Sequence, residues 1–470
     1  MKLIFKFIFY LSFWLLLTPR PILASDQNIF GLHLTQTSDI ESAAPIINSS
    51  NGKWGWVTIV IRQDQLDQGN WQDFFDKCRS LHLIPIIRIA TLMENDYWSR
   101  PQLSNMSQIA EFLNQLNWPT QTQHVILFNE VNHGQEWGGQ IDVEDYVDIF
   151  ISTSQIFKNL NPNFFILGPG LDLASPDKMP DFLSAKTFYQ KIYEYNPNYF
   201  DHLDGLASHS YPNHGFIGTP ADTGQHSIQG YLWELDYLRS LGINFNKPVF
   251  ITETGWPHQE GIIKNSDFYT TKTTADFLLK SFEIWSKDPN VFAVTPFIYN
   301  YPQSPFDHFS WLDEGGILYP EYQKIIDFPK LQNQPTQINK YEAVKMDLPL
   351  IIFQNHQYTG HLTLKNTGQT IWGKGETQFC LAPQSTQNII LSSICISPQQ
   401  LIKPNQTIKL PFTFTVSNQP QIGKSFISWQ NTSEFEIIPF YDSSTVYLPK
   451  TNIFQEISDL FKKINPFGSK

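Results

Sequence analysis

From Asn28 to Lys330 the chain alternates two patterns. Short runs rich in Ile, Val, Leu and Phe are followed by longer stretches whose apolar residues recur every three or four positions. The runs are IFGLHL, WGWVTIVIR, LIPIIRIAT, HVILFNE, FFILGPG, LDGLASHS, PVFITE and FAVTPFIYN, eight in all. Apolar runs this short and this continuous predict strands buried on both faces. Between them NWQDFFDKCRSLHL, MSQIAEFLNQLNW, VEDYVDIFISTSQIFKNL, KTFYQKIYEY, IQGYLWELDYLRSLG and TTADFLLKSFEIW carry helical spacing. A first helix is expected from Ser38, where Glu41 three residues on completes a capping box. Strand and helix repeated eight times predict a (β/α)8 TIM barrel over residues 28–330. A doubly wound open sheet is the rival, but GLHLTQTSD lacks the Gly-rich phosphate turn such a sheet carries after its first strand.

The pattern changes after Asp327. KLQNQPTQINKY is polar and aperiodic, which predicts a linker over residues 331–342. Residues 343–449 then show short alternating runs, PLIIFQ, GHLTLKNTG, TQFCLAP, TIKLPFTFTV, KSFISWQ and STVYLP, punctuated by turn residues. That is the pattern of an antiparallel β-sandwich. Its LTLKNTGQTIW run resembles the immunoglobulin-like accessory domains attached to exported hydrolases, which implies a spacer or a sugar-binding role. Residues 450–470 form a tail with a short amphipathic stretch.

Charge and leader narrow the setting. The 470 residues carry a formal net charge of −12, which argues against nucleic acid or an anionic membrane as partner, since both require a basic face. Lys2 and Lys6 precede the apolar FIFYLSFWLLL and a PILA site, so residues 1–24 read as a secretory signal, with an uncleaved anchor as the competing reading. Either places the globular part outside the cytoplasm, secreted or at the cell surface. Of three cysteines, Cys380 and Cys395 flank a turn-rich stretch and are expected to pair, an exported chain permitting it. Cys78 falls on the apolar side of a predicted helix and is expected to be a buried free thiol. No Cys-x-x-Cys or His-Glu-x-x-His spacing supports a metal site, and no cofactor is expected.

The chemistry-bearing residues cluster where apolar runs give out. HVILFNEVN delivers Asn129 and Glu130 at the end of predicted strand four, and PVFITETGW delivers Glu253 at the end of strand seven. Carboxylates are rarely fully buried unless paired, so two at the ends of core strands imply one shared site. A facing carboxylate pair is the equipment for cleaving glycosidic bonds. His33, Arg62, Arg88, His209, Tyr211 and Tyr299 fall at the same end of other strands, and Trp256 and Trp311 follow strand ends as candidate sugar platforms.

Asn-Glu on strand four, His-Ser-Tyr-Pro on strand six and Thr-Glu-Thr-Gly-Trp on strand seven together resemble clan A of the glycoside hydrolases over roughly Asn28 to Lys330. This clan of retaining barrel enzymes includes cellulases, mannanases, xylosidases and β-1,3-glucanases. The resemblance implies that Glu130 is the acid/base, Glu253 the nucleophile and Asn129 a contact to the sugar 2-hydroxyl. Tyr211 and one of Arg62 or Arg88 would hold Glu253 ionised, and His209 would line the site. The substrate would be a β-linked poly- or oligosaccharide, cleaved with retention by an enzyme expected to be a monomer. ETGWP is nearer to β-1,3-glucanases and NEVN to xylosidase-like families, so no family within the clan is assigned. The alternative is a non-catalytic barrel that recognises cell-wall or extracellular glycans; such barrels usually lose one carboxylate, and both are present. An exported esterase or lyase would need a serine beside a histidine, or a metal cluster, at the strand ends.

Overall fold

The computed structural model describes residues 27–349, 355–383, 389–416, 427–431 and 435–440. The expected leader, the tail, most of PLIIFQ and all of STVYLP lie outside the described residues. The chain divides into two compact units, one ending at Thr336 and the other beginning at Gln337.

The first unit is an α/β domain of TIM-like order. Its strands are β1 (Gly31–Leu34), β2 (Gly55–Arg62), β3 (Leu83–Ala90), β4 (Gln123–Leu127), β5 (Phe164–Leu167), β6 (Leu206–His209), β7 (Val249–Glu253) and β8 (Val291–Val294). Helices α1 (Ile40–Ile47), α2 (Gln68–Ser80), α3 (Leu103–Gln115), α4 (Val143–Leu160), α5 (Ala185–Tyr195), α6 (Gly230–Ser240), α7 (Thr271–Trp285) and α8 (Gln323–Asp327) follow them in turn. The strands pair in parallel and in chain order, as a five-stranded sheet β1 to β5 and a three-stranded sheet β6 to β8. Single parallel bridges join the sheets at both seams, Leu167 with Gly205 and Phe30 with Val294.

Both faces of the strands are buried, for different reasons. One face packs under the helices. The other contributes Trp56, Ile84, Ile86, Ile126, Leu167, Ala207, Phe250 and Ala293 to a single buried cluster drawn from seven strands. Trp56 of β2 meets Phe250 of β7 edge-on at 5.6 Å between ring centroids, and His124 of β4 at 5.1 Å. Burial drives the His124 pKa down to about 3, so it serves this layer as a neutral ring. Side-chain caps mark four helix starts: Asp67, Asp142, Ser184 and Thr270 each accept the backbone N–H three residues on.

Two local expectations are corrected. Ser38 does not cap α1. A 3-10 turn over Thr37–Asp39 precedes that helix, and the extended residue that starts the turn is Gln36. Ser38 is therefore already wound in, and its hydroxyl reaches only the Gln36 side chain. The expected linker is also partly structured. Asn333 accepts from the Asn28 N–H at 2.8 Å and donates to the Asn28 and Trp54 carbonyls at 2.8 Å each, tying this stretch into the first unit. Residues 341 and 342, read as linker, open a strand, Tyr341–Asp347.

The described residues of the second unit form two four-stranded antiparallel sheets. Its strands are β9 (Tyr341–Asp347), β10 (Gln357–Asn366), β11 (Cys380–Pro383), β12 (Ile389–Leu391), β13 (Ile394–Cys395), β14 (Thr407–Val416), β15 (Ile427–Asn431) and β16 (Phe435–Phe440). The sheet orders are β9-β10-β14-β12 and β13-β11-β15-β16. Alternate residues of β14, Ile408, Leu410, Phe412, Phe414 and Val416, enter one core with Leu362, Leu364, Trp372, Leu381 and Trp429. Cys380 of β11 and Cys395 of β13 are directly opposed and disulfide-bonded, with Cα atoms 4.1 Å apart. Cys78 is buried and free on α2.

Candidate active site

Strand alternation aims the first residue of the site. Trp56 pairs with Ile84 and Thr58 with Ile86, so the inward face of β3 reads Ile84, Ile86, Arg88. Arg88 thus enters the interior one layer above the apolar cluster. Its Nη1 donates to Asn129 Oδ1 and to Glu253 Oε1, both at 2.6 Å. Arg62 sits two residues further along its strand, about 40 % exposed, and forks onto Asp64 at 2.8 and 3.0 Å. Of the two arginines expected to compete for Glu253, the local pair with Asp64 removes Arg62.

Alternation alone would turn Glu253 outward. Phe250 faces the interior cluster and Ile251 the helices, so Glu253 should follow Ile251. The β6–β7 register shifts between Ser208 and His209, and Glu253 pairs with His209 one residue late. A bulge of this kind re-aims a side chain, and here it points Glu253 inward. On β4 the change of direction comes from the backbone beyond Leu127. Phe128 and Glu130 adopt φ values of +75° and +31°. Left-handed conformations at such residues cost about 1–3 kcal/mol each and cluster at functional sites. The Glu130 N–H is fixed on the Gly170 carbonyl at 3.1 Å.

The carboxylates meet across this mouth. One oxygen of Glu130, one of Glu253 and a ring nitrogen of His209 lie within 4.8 Å of one another. His209 Nδ1 is 2.9 Å from Glu130 Oε1 and 3.8 Å from Glu253 Oε2. The Tyr211 hydroxyl donates to Glu253 Oε2 at 3.2 Å, and His33 Nδ1 lies 3.7 Å from Glu253 Oε1. Arg88, Asn129, Glu130, His209, Tyr211, Glu253 and His33 therefore converge.

Electrostatics separate the two acids. Burial on its own would raise the Glu253 pKa, but the charges of His209, Arg88 and His33, with the Tyr211 hydrogen bond, outweigh it and bring the carboxyl down to about 2. Burial drives His33 itself down to about 3, so it is neutral at pH 7. For His209, burial lowers the pKa, while Glu253 and the Glu130 hydrogen bond overcome that and raise it. Glu253 is thus an anion braced by cationic and hydroxyl donors, while Glu130 faces the same space from the other side. Among the described residues Glu130, His209 and Glu253 form the one cluster with metal-ligating spacing. A cation there would have to compete with Arg88, already 2.6 Å from Glu253.

Several expected contacts are corrected. Trp256 and Trp311 are in the core and offer no face to a sugar. Trp256 donates its indole N–H to the Gly218 carbonyl at 2.7 Å, and Trp311 stacks on Tyr322. Tyr299 is buried too, its backbone N–H on the His33 carbonyl at 2.9 Å. In each case the loop beyond the strand folds back into the domain and takes the aromatic ring with it.

Other groups shape the site without a sequence signal. A Cβ on Gly170 would come 2.1 Å from the His209 Cδ2, so only glycine leaves room for that ring. Gly170→Ala is expected to displace His209 and to lower kcat by roughly 10²-fold, the effect of an ångström-scale misplacement; unchanged kinetics with an unmoved ring would contradict this. Ser208 and Ser210 flank His209 and are hydrogen-bonded to each other at 2.8 Å. Ser208 also donates to the fully buried Glu234, which accepts from the Tyr189 hydroxyl at 2.7 Å. Burial raises Glu234 to about 7, the two hydroxyl donors and His209 only partly opposing it. The folded state then holds this proton more tightly than the unfolded chain. Its stabilising contribution is complete below about pH 4.5 and is lost as the pH rises to about 7, by up to ~3 kcal/mol. Glu234→Gln should flatten that part of the urea-midpoint profile between pH 5 and 8; parallel profiles for variant and wild type would contradict it.

No protein-family model matches the sequence, and no curated protein matches it either. Solved structures similar in shape include a monomeric β-xylosidase from Caulobacter crescentus, at 9 % identity over 84 % of this chain and 97 % of that one, with a TM-score of 0.45. A glucosidase from Croceicoccus marinus gives 9 %, 84 %, 97 % and 0.46. A β-glucanase from Saccharophagus degradans, in complex with cellotetraose, gives 12 %, 64 %, 86 % and 0.41. A likeness this faint identifies neither a family nor an activity for the chain.

Proposed function

We propose that this protein is a retaining glycoside hydrolase acting on β-linked poly- or oligosaccharides. The observation that carries the reading is the pair Glu130 and Glu253, with side-chain oxygens within 4.8 Å of each other at the ends of β4 and β7. Retaining glycosidases hold their carboxyls about 5–5.5 Å apart and inverting ones about 6.5–9.5 Å apart, with a water between. In this reading the eight strands close into a (β/α)8 barrel with the site at its carboxyl end, and the second unit is an immunoglobulin-like sandwich.

Glu253 supplies the nucleophile. Its oxygen attacks the anomeric carbon, the bond to the leaving oxygen breaks, and Glu130 gives that oxygen a proton. Glu130, now a base, takes a proton from water, which attacks the same carbon and releases Glu253. Arg88 and Tyr211 keep Glu253 ionised before attack. Asn129, whose carbonyl oxygen is held by Arg88, offers its amide nitrogen to the sugar 2-hydroxyl, where hydrogen bonds strengthen in the transition state.

Residues 1–24 act as a secretory signal in this account, so the mature exported chain should begin at Ser25 on N-terminal sequencing; an intact Met1 would contradict cleavage. The activity itself is tested with a panel of aryl β-glycosides and β-linked oligosaccharides. The expected result is turnover of at least one by the wild type and none by Glu253→Ala. Binding without cleavage by both would favour a glycan-recognition role instead.

A further inference from the structure

From the Glu253 side of the site a run of aromatic rings leads out to solvent. Tyr211, which donates to Glu253 Oε2 at 3.2 Å, meets Phe216 edge-on at 5.2 Å between ring centroids. Phe216 meets Phe309 at 5.3 Å, Phe309 meets Phe297 at 5.8 Å and Phe297 meets Phe306 at 5.4 Å. Phe297 also reaches the site itself, edge-on to His33 at 5.4 Å. Phe309 is buried, Phe216 and Phe297 are half-buried, and Phe306 at the outer end is 42 % exposed.

The loops after β6, β7 and β8 carry this strip, and hydrogen bonds join them. The Tyr269 hydroxyl, after β7, donates to the Ile217 carbonyl, after β6, at 2.7 Å. The Ile262 N–H, after β7, donates to Asp307 Oδ2, after β8, at 2.7 Å. On these joined loops Ile217, Ile262 and Ile263 are 62 %, 51 % and 78 % exposed. Single exposed apolar side chains are ordinary. Several on joined loops, continuous with an aromatic path into a site, mark a surface that a ligand covers.

The chemistry of the strip selects the ligand. Phe and Ile side chains offer nothing to the hydroxyls of a sugar chain. Consecutive rings stand at 73° to 87° to one another, so each turns its edge on the next and they build no flat platform for successive sugar rings. An alkyl chain needs neither donors nor a flat face. In an amphiphilic glycoside that chain hangs on the anomeric oxygen, beside the carbon that Glu253 would attack. Resting on the glycosidase reading, we propose that the substrate is a β-glycoside with an alkyl aglycone, the chemistry of a glycolipid. Its sugar sits between Glu130 and Glu253, and its chain lies on the strip from Tyr211 to Phe306.

The test uses ethyl, butyl, hexyl and octyl β-glycosides below their micelle concentrations. The sugar is one whose aryl β-glycoside the wild type cleaves, or glucose if it cleaves none. Leaving-group basicity is nearly constant along this series, so chain length reports binding. Each methylene taken fully out of water is worth about fourfold. KM should therefore fall roughly tenfold or more from ethyl to octyl, with kcat nearly flat, since the chain is bound alike in ground and transition states. The exposed variants Phe306→Ser and Ile217→Ser should each shrink the ethyl-to-octyl KM ratio by about threefold or more. A KM independent of chain length, or a ratio that both variants leave intact, would overturn the proposal. A KM that instead falls with each added β-linked sugar, and does so less in the variants, would give the strip to sugars and overturn it too. Calorimetric Kd values for the same series on the full-length protein separate the two readings. If the wild type cleaved none of the glycosides, the glycosidase reading would fail, while a Kd that tightens with chain length and loses that trend in the variants would still support the strip as an alkyl site. Cleavage with flat KM and flat Kd would leave the glycosidase reading standing and overturn the alkyl site.

Discussion

Glu253→Ala is expected to abolish turnover of every glycoside the wild type cleaves, by roughly 10⁵-fold or more. At 1.36 kcal/mol per decade this is about 7 kcal/mol of transition-state stabilisation, of the order seen when a covalent nucleophile is removed. The geometry adds a more specific expectation. Arg88 Nη1 and the Tyr211 hydroxyl donate to the two oxygens of Glu253 at 2.6 and 3.2 Å. Truncation leaves these donors facing a vacated, positively biased space. Azide or formate should enter it and restore activity on substrates with good leaving groups, and azide should yield a glycosyl azide of the opposite anomeric configuration. Full activity in Glu253→Ala would exclude it as nucleophile. An inactive variant that no small anion rescues, although still folded, would contradict the picture of a ready anion site.

Glu130→Ala should fail in a different way. General acid–base catalysis contributes roughly 10²–10⁴-fold, and the share needed depends on the leaving group. Alkyl glycosides and oligosaccharides, which leave as poorly stabilised alkoxides, should lose most of that range in kcat/KM. Dinitrophenyl glycosides, which leave readily as anions, should lose far less in kcat/KM while kcat falls, because the second step still needs Glu130 to activate water. A uniform loss across leaving groups would assign Glu130 a binding role and not proton transfer. His209, 2.9 Å from Glu130, and Gly170, which holds the Glu130 N–H at 3.1 Å, make its placement independent of substrate.

How much of this was legible in the sequence follows from where each residue sits. Glu130 and Glu253 announce themselves because apolar strands end on them, and a strand end is a place in the fold. His209 and Tyr211 follow by the same logic. Arg88 and Arg62 were indistinguishable, since both close an apolar run. Only the β2–β3 register, which sets Arg62 two residues further along, and the neighbouring Asp64 separate them. The β6–β7 bulge is invisible in a period-two pattern, yet it aims Glu253. Trp256 and Trp311 misled because an aromatic after a strand end is a platform or a core residue according to how the loop folds back, a tertiary fact.

The anomeric configuration of the first-formed product tests the central claim most directly. A β-glycoside found to be cleaved is mixed with wild-type protein and followed by proton NMR from the first minutes, before mutarotation scrambles the signal. Two carboxylates with oxygens within 4.8 Å of each other fall on the short side of the two separations, the side of direct attack by Glu253. The account therefore predicts the β-anomer first, with the α-anomer growing in only as mutarotation proceeds. The α-anomer appearing first would mean single displacement by water, and would contradict the assignment of Glu253 as nucleophile.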